Sequence, residues 1–185
     1  MFDELLSRIA TALSRHNLPY MVIGGQAVLL YGEPRLTKDI DITLGVNIDQ
    51  LDVLLESVRE ISLRPLPNDI PSFVKKTMVL PALDENSGIR IDFIFSFTPY
   101  ERQAITRARE VSLSGQQIRF AALEDLIIHK IFAGRPRDLE DVRILVLKNP
   151  AVDRAYVEKW LKQFDIALPK KRFLKTFHKV VGAKK

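Results

Sequence analysis

The chain has 185 residues, no cysteine, and 28 basic against 23 acidic side chains, for a net charge of +5. This length predicts one domain, with or without a small appendage, and the lack of cysteine excludes disulfides, thiolate zinc sites and cysteine nucleophiles. No apolar run reaches the about 18 residues that would span a bilayer, and the N-terminus lacks the pattern of a signal peptide. We therefore expect a soluble, cytoplasmic protein with no membrane partner.

The first third of the chain alternates helical and strand patterns. Apolar residues follow a helical period over residues 2–16, and a short buried strand over 20–23 ends at a Gly-Gly pair. A helical turn or two over 26–31 precedes a second strand over 39–44. Asn47 is predicted to cap a helix, with Gln50 at the capping-box position and an apolar stripe of Leu51, Leu54, Leu55 and Val58.

The middle of the chain contains most of the remaining strands. Residues 62–71 hold three prolines and are expected to form a loop, with a short helix around Ser72–Lys76. Strands are predicted at Met78–Leu83, Ile89–Phe97, Val111–Leu113 and Gln117–Phe120, and a helix at Tyr100–Ala108.

From Leu123 onward the pattern is helical, over 123–133, 137–148, 153–163 and 170–181. The sequence thus predicts an α+β fold, with strands in the first two thirds and helices in the last. We expect a core over residues 1–122 and a helical region over 123–185, and the two are able to pack as one domain.

Two carboxylates of the second strand project from the same face. Asp39 and Asp41 are two residues apart, and residues i and i+2 of a strand share a face. Hard cations such as Mg²⁺ take carboxylate oxygens together with substrate phosphates. With three scattered histidines and no cysteine, carboxylates are also the ligands that this chain offers a metal. The alternative is a strand that shows two acids to solvent.

Two further features belong with this strand. Gly24 and Gly25 stand between a strand and a helix, where glycine permits close approach and helix N-terminal N–H groups attract anions; the alternative is a tight turn. Asp92 is the sole acid of the apolar segment Ile89–Phe95. An unpaired buried acid is costly, so either a metal neutralises Asp92 or it pairs with Arg90 or Arg35 at a sheet edge.

The run GGQAVLLYGEPRLTKDIDI, from Gly24 to Ile42, resembles the motif of the polymerase-β-type nucleotidyltransferase superfamily, and in particular its AbiEii-type toxin branch. A later stretch around Lys130, Asp138 and Asp141 is similar to motifs that follow the core in those proteins. The matching segments are 20–45, 88–96 and 120–145. Gly-Gly stands here where many relatives have Gly-Ser.

The resemblance implies a nucleotidyltransferase-like mixed β-sheet flanked by helices, with a C-terminal helical region. It implies a site with two Mg²⁺ ions, with Mn²⁺ as an alternative. The implied catalytic and metal-binding residues are Asp39, Asp41 and Asp92; the implied nucleotide-binding residues are Gly24, Gly25, Arg35, Thr37 and Lys130. Asp138 and Asp141 match a further motif of less certain role.

Simpler interpretations exist for the helical motif. Lys130 follows two isoleucines and is able to extend its charged end to water from a half-buried helix. Asp138 and Asp141 are able to pair with Arg135, Arg137 or Lys148 on a solvated face. Trp160 and Phe164, four residues apart, are expected to pack the C-terminal helices together.

Positive charge is concentrated at the C-terminus. Residues 166–185 carry seven Lys or Arg and no acid, so this segment is +7 and the rest of the chain −2. Such a basic tail favours a polyanionic partner; the alternative is a solvated end that aids solubility.

Together these observations predict a metal-dependent nucleotidyltransferase that uses a nucleoside triphosphate and favours RNA, such as a tRNA end, as acceptor. A toxin–antitoxin role would add an antitoxin partner. The alternatives are transfer to a protein or to a small molecule such as an antibiotic, and a non-catalytic nucleotide- or RNA-binding module on the same fold.

Overall fold

A computed structural model describes residues 2–33 and 37–182. The described residues form two compact units, the first within 1–26 and 36–121 and the second within 27–35 and 122–185. The division into a core over residues 1–122 and a helical region over 123–185 stays a prediction.

The first unit is built on a mixed sheet. Its strands are β1 (Tyr20–Ile23), β2 (Asp39–Leu44), β3 (Arg64–Pro65), β4 (Val79–Asp84), β5 (Ile89–Phe95), β6 (Arg109–Leu113) and β7 (Gln116–Phe120). Their order across the sheet is β3-β4-β5-β2-β1-β7-β6. The pairs β2–β5 and β1–β7 are parallel and the other neighbours antiparallel. The predicted α+β fold with a mixed sheet flanked by helices is confirmed.

Alternation of side chains makes β2 a central strand with two different faces. Ile40, Ile42 and Leu44 are completely buried, while Asp39 is exposed and Asp41 half-buried. Burying each such aliphatic side chain stabilises the fold by about 1.5–3 kcal/mol. A shift of one residue would bury the two carboxylates instead, so the apolar side chains determine the register of β2.

The helices of the first unit are α1 (Phe2–Arg15), the start of α2 (Gly24–Tyr31), α3 (Leu51–Glu60), α4 (Ile70–Thr77) and α5 (Pro99–Thr106). On α1 the buried residues recur with helical spacing, at Leu5, Leu6, Ile9 and Leu13. Thr98 caps α5 by accepting from the backbone N–H of Glu101, and Pro99 follows in the first turn, where its missing N–H costs nothing.

Two local predictions were wrong in detail. The loop expected over 62–71 contains the short edge strand β3, where Pro65 is tolerated because an edge strand has a free side, and α4 already begins at Ile70. Asn47 caps a 3₁₀ turn, Ile48–Gln50, by accepting from the N–H of Ile48 at 2.8 Å, so it does not form the predicted capping box of α3.

The second unit contains α6 (Leu123–Ala133), α7 (Pro136–Lys148), α8 (Arg154–Ala167) and α9 (Phe173–Val181). Helix α6 contacts the other three. The expected role of Trp160 and Phe164 is confirmed, since their ring centroids are 6.3 Å apart and Phe164 also contacts Phe132 and Phe173. No helix within residues 2–33 and 37–182 is both long and apolar enough to cross a bilayer.

The basic C-terminal segment is not a simple charged tail, because it contains the packed helix α9, which ends at Val181. Phe173 and Phe177 of α9 are 6% and 0% exposed. The Asp165 carboxylate of α8 accepts from the backbone N–H groups of Phe173 and Leu174 at 2.6 and 3.2 Å, which satisfies the first turn of α9. The basic side chains at 170–172, 175 and 179 are exposed, and Lys184 and Lys185 lie outside the described residues.

Candidate active site

The two carboxylate-bearing strands lie side by side. In the parallel pair β2–β5, Asp41 is directly opposite Asp92, and Asp39 is opposite Arg90. Neighbouring strands are about 4.8 Å apart, so the pairing brings two acids from distant parts of the sequence next to each other. The opposite face holds Ile40, Ile42, Ile91 and Phe93, each at most 1% exposed.

Asp92 forms an ion pair on this face. Its Oδ1 accepts from Arg90 Nε at 2.9 Å, with side-chain exposures of 21% for Asp92 and 53% for Arg90. The pairing of Asp92 with Arg90 was one of the two interpretations of this acid, but its expected place at a sheet edge was wrong. Strand β5 lies between β4 and β2, in the interior of the sheet.

The Gly-Gly turn provides the space that Asp41 needs. Gly24 begins α2 with φ of +66°, and a Cβ built on it would lie 1.9 Å from Asp41 Oδ2. A Cβ on Gly25 would lie 2.5 Å from Thr37 Cγ2 and 2.8 Å from its Oγ1. Both glycines therefore have a packing reason to lack side chains, beside Asp41 and Thr37. Their contact with phosphate stays a prediction.

Thr43 extends the polar face of β2 and was not singled out from the sequence. It is 1% exposed, and its hydroxyl has no hydrogen-bond partner within the described residues. A buried hydroxyl without a partner is unfavourable by about 1–3 kcal/mol. The only signal for it in the sequence is the alternation that places Thr43 two residues after Asp41.

The donor chemistry of this face fits a hard divalent cation, since Asp41 and Asp92 bring carboxylate oxygens together and Asp39 lies on the same face. Across residues 2–33 and 37–182, no three acidic or histidine side chains converge closely enough to form a metal site. The strand register thus brings two carboxylates together, those of Asp41 and Asp92, and a metal site of three carboxylates stays a prediction. Arg35 lies outside the described residues.

In the second unit, Lys130 lies in a buried ion cluster with Asp138 and Asp141. Its Nζ is 2.8 Å from Asp138 Oδ1 and 2.8 Å from Asp141 Oδ2, and its side chain is 5% exposed. Arg135 adds a second cation, with Nε 2.5 Å from Asp138 Oδ2.

This cluster corrects the simpler interpretations of the helical motif, apart from the predicted pairing of Asp138 with Arg135, which is confirmed. Lys130 does not reach water from a half-buried helix, and Asp138 and Asp141 are not on a solvated face, being 3% and 6% exposed. Burial would raise the pKa of Asp138, but hydrogen bonds from Arg135 and Lys130 outweigh it and hold that pKa below its ordinary 3.8. The Lys130 ammonium is thus engaged by two carboxylates, and its contact with a triphosphate stays a prediction.

A mixed sheet with in-register acids on two parallel strands, next to a Gly-Gly helix start, is consistent with a nucleotidyltransferase-like fold. The chain belongs to the family described as "Nucleotidyltransferase of unknown function (DUF6036)", whose model matches residues 1–175. The family model does not separate an AbiEii-type branch, which stays a prediction. No curated protein sequence matches the chain significantly.

Solved structures agree with the fold. The solution structure of the antibiotic-resistance factor ANT(2'')-Ia is similar with a TM-score of 0.61 and 17% identity, over 91% of this chain and 95% of that one. Its crystal structure in complex with adenylyl-2''-tobramycin has a TM-score of 0.55 and 19% sequence identity, over 84% of this chain and 92% of that one. The crystal structure of an antigenic nucleotidyltransferase-like protein from Paracoccidioides brasiliensis has a TM-score of 0.55 and 15% sequence identity, over 96% of this chain and 92% of that one. At such identities the likeness concerns the fold alone.

Gly24 is tested by a pair of alanine variants. Gly24 and Gly88 share a positive φ, +66° and +69°, but a Cβ on Gly88 meets nothing within 4 Å. Both Gly→Ala changes should lower the unfolding free energy by about 1–2 kcal/mol through the left-handed backbone. Only Gly24→Ala should also displace Asp41 and remove the melting shift produced by Mg²⁺ with a triphosphate. Equal melting shifts in the two variants would contradict the role of Gly24 in leaving room for the Asp41 carboxylate.

Lys130→Met is expected to lower the unfolding free energy by about 3–5 kcal/mol, because it leaves two buried carboxylates without their shared cation. Lys148→Met is the control: Lys148 is 44% exposed and 3.2 Å from Glu33, and its loss should change stability by less than about 1 kcal/mol. Denaturant titration measures both. Equal stabilities of Lys130→Met and wild type would show that the cluster is not structural.

The same cluster predicts a pH dependence. Because the pKa of Asp138 is lowered on folding, its pairing contributes stability above the unfolded value of 3.8 and loses it as pH falls through the lower folded pKa. The stability difference between wild type and Asp138→Asn should therefore be full at pH 5 and above and shrink below pH 3.8. A difference that is independent of pH would contradict this assignment.

Proposed function

We propose that the protein is a metal-dependent nucleotidyltransferase that moves a nucleoside monophosphate from a triphosphate to an acceptor hydroxyl and releases pyrophosphate. The observation that carries the proposal is the lateral pairing of Asp41 with Asp92, with Gly24 leaving room for the Asp41 carboxylate. Membership of a nucleotidyltransferase family supports the transferase class. A module that only binds nucleotide would gain nothing from adjacent acids.

Asp39, Asp41 and Asp92 are the residues that would hold Mg²⁺, or Mn²⁺ in its place. Such ions, when bound, stabilise the attacking and leaving oxygens of an in-line displacement at phosphorus. Asp92 is the proposed acceptor of the proton from the attacking hydroxyl. Arg90 orients the Asp92 carboxylate through their 2.9 Å hydrogen bond and would release it as substrate binds.

The start of α2 is the proposed phosphate site. Gly24 and Gly25 lie in the first turn of a helix, where backbone N–H groups favour anions. Thr37, packed against Gly25, and Arg35 are proposed to contact the nucleotide. The engagement of Lys130 by two aspartates supports a structural role for this residue more than direct triphosphate binding.

RNA is the proposed acceptor, because exposed basic side chains follow one another around the start of α9. A toxin–antitoxin role, with an antitoxin as protein partner, would follow from the AbiEii-type resemblance and needs its own test. The alternative acceptor is a small molecule, since one solved structure of this fold contains adenylyl-2''-tobramycin.

The proposal is tested with α-³²P-labelled ATP, CTP, GTP and UTP, each with Mg²⁺ and with total RNA, cell protein or an aminoglycoside. We expect label in RNA from one nucleotide and none in EDTA. Asp39→Asn, Asp41→Asn and Asp92→Asn should each abolish transfer, while Asp52→Asn, which removes an exposed carboxylate of α3, should not. Label in protein or aminoglycoside would instead identify the alternative acceptor, and no label anywhere would refute the enzyme.

Melting curves test metal binding without turnover. In EDTA, Asp41→Asn should melt at or above the wild-type temperature, because it removes a charge beside Asp92. Mg²⁺ with a triphosphate should stabilise wild type by about 2.7 kcal/mol at a hundredfold excess over Kd, which is several degrees, and leave the variant nearly unmoved. A variant clearly less stable than wild type in EDTA would show that the contacts of the Asp41 carboxylate outweigh its repulsion with Asp92 and would count against the metal site.

A further inference from the structure

An aromatic ring of the second unit is exposed although its neighbours hold it in place. Phe132, near the end of α6, is 53% exposed. It stacks on Phe173 of α9 with centroids 5.1 Å apart and planes at 15°, and it meets Phe164 of α8 edge-on at 5.7 Å and 78°. Phe173 is 6% exposed. One face of the Phe132 ring is thus covered by a buried partner while about half of the residue remains open to water.

Positive charge lies next in the chain to Phe173, the ring on which Phe132 stacks. Lys170, Lys171 and Arg172 precede Phe173 and are exposed, and Lys175 and Lys179 follow on α9, four residues apart and also exposed. No acidic residue occurs from 166 to 185. Asp165, the nearest acid before this stretch, has its carboxylate directed to the backbone N–H groups of Phe173 and Leu174. We call Phe132 with Lys170, Lys171, Arg172 and Lys175 the aromatic–basic surface.

We propose that the aromatic–basic surface binds single-stranded RNA, with a base stacked on Phe132 and phosphates beside the lysines. A rigid ring and a row of cations are the two parts of sites that bind single strands with little sequence preference. The inference deepens the proposed RNA acceptor and rests on it for the identity of the partner. Binding itself needs neither metal nor triphosphate.

The packing of α9 favours a nucleic acid over a membrane surface. A helix that binds a bilayer inserts an apolar face, but Phe173 and Phe177 of α9 are buried in the protein. The exposed apolar side chains here are the Phe132 ring and, before the lysines, Ile166 and Leu168 at 72% and 43%. Because α9 keeps its two phenylalanines for the core, it offers a bilayer no aromatic face, and the exposed Phe132 ring suits stacking on a single base.

The test is fluorescence anisotropy with labelled 12-nucleotide single-stranded RNA in EDTA, without triphosphate. Phe132→Leu keeps an apolar side chain but removes the ring, and should weaken binding about tenfold. Lys170→Gln/Lys171→Gln should weaken binding and flatten the log–log salt slope by about 1.4, since each phosphate contact of a single strand contributes about 0.7.

Matched controls lie in the first unit. Phe97 is also 53% exposed, and its ring is covered by Arg102 at 4.9 Å. Lys75 and Lys76 form an exposed adjacent pair on α4. Phe97→Leu and Lys75→Gln/Lys76→Gln should leave affinity and salt slope within twofold of wild type, with folding of all variants checked by circular dichroism.

The inference fails if the test and control variants behave alike, if the lysine pair leaves the salt slope unchanged, or if the protein binds anionic phospholipid vesicles but not RNA. Its failure is distinguishable from that of the proposed function. If the protein labels RNA but Phe132→Leu binds RNA as well as wild type does, the proposed enzyme activity is supported and the aromatic–basic surface is refuted. If Phe132→Leu weakens RNA binding but the protein labels no acceptor, the aromatic–basic surface is supported and the proposed enzyme activity is refuted.

Discussion

The parallel pairing of β2 with β5 is the constraint on which the candidate site depends. It places Asp41 beside Asp92, acids that are 51 positions apart in the sequence. The apolar residues on the other face of both strands hold this register, because a slip by one residue would bury carboxylates and expose isoleucines. The core therefore positions the chemistry: Ile40, Ile42 and Ile91, all fully buried, determine where the acids lie.

The Gly-Gly turn depends on the same pairing. Strand β1 pairs with β2 so that Ile23 is opposite Asp41, and the chain then turns at Gly24 directly against the Asp41 carboxylate. A side chain at Gly24 would occupy the volume of Asp41 Oδ2. Glycine at position 24 is thus required by packing against Asp41, and its lack of a Cβ would equally allow a phosphate to approach the backbone.

The ionic residues of the second unit are organised differently. The positive charges of Lys130 and Arg135 balance the negative charges of Asp138 and Asp141. The ion pairs of the buried Lys130 with Asp138 and Asp141 hold α6 against α7. Two cations for two carboxylates make the cluster neutral, which is the condition for burying charge at tolerable cost. In contrast, the cations around the start of α9 are exposed, with no acid in the same stretch of sequence.

The sequence by itself determined the α+β class, the places of most strands and helices, and the shared face of Asp39 and Asp41, because periods of 2.0 and 3.6 residues are local properties. Only the tertiary structure decided that Asp92 pairs with Arg90 inside the sheet, that Lys130 is buried between two aspartates, and that the basic C-terminus packs through Phe173 and Phe177. Those outcomes depend on which strands and helices become neighbours, and spacing along the chain carries no record of neighbours across the fold.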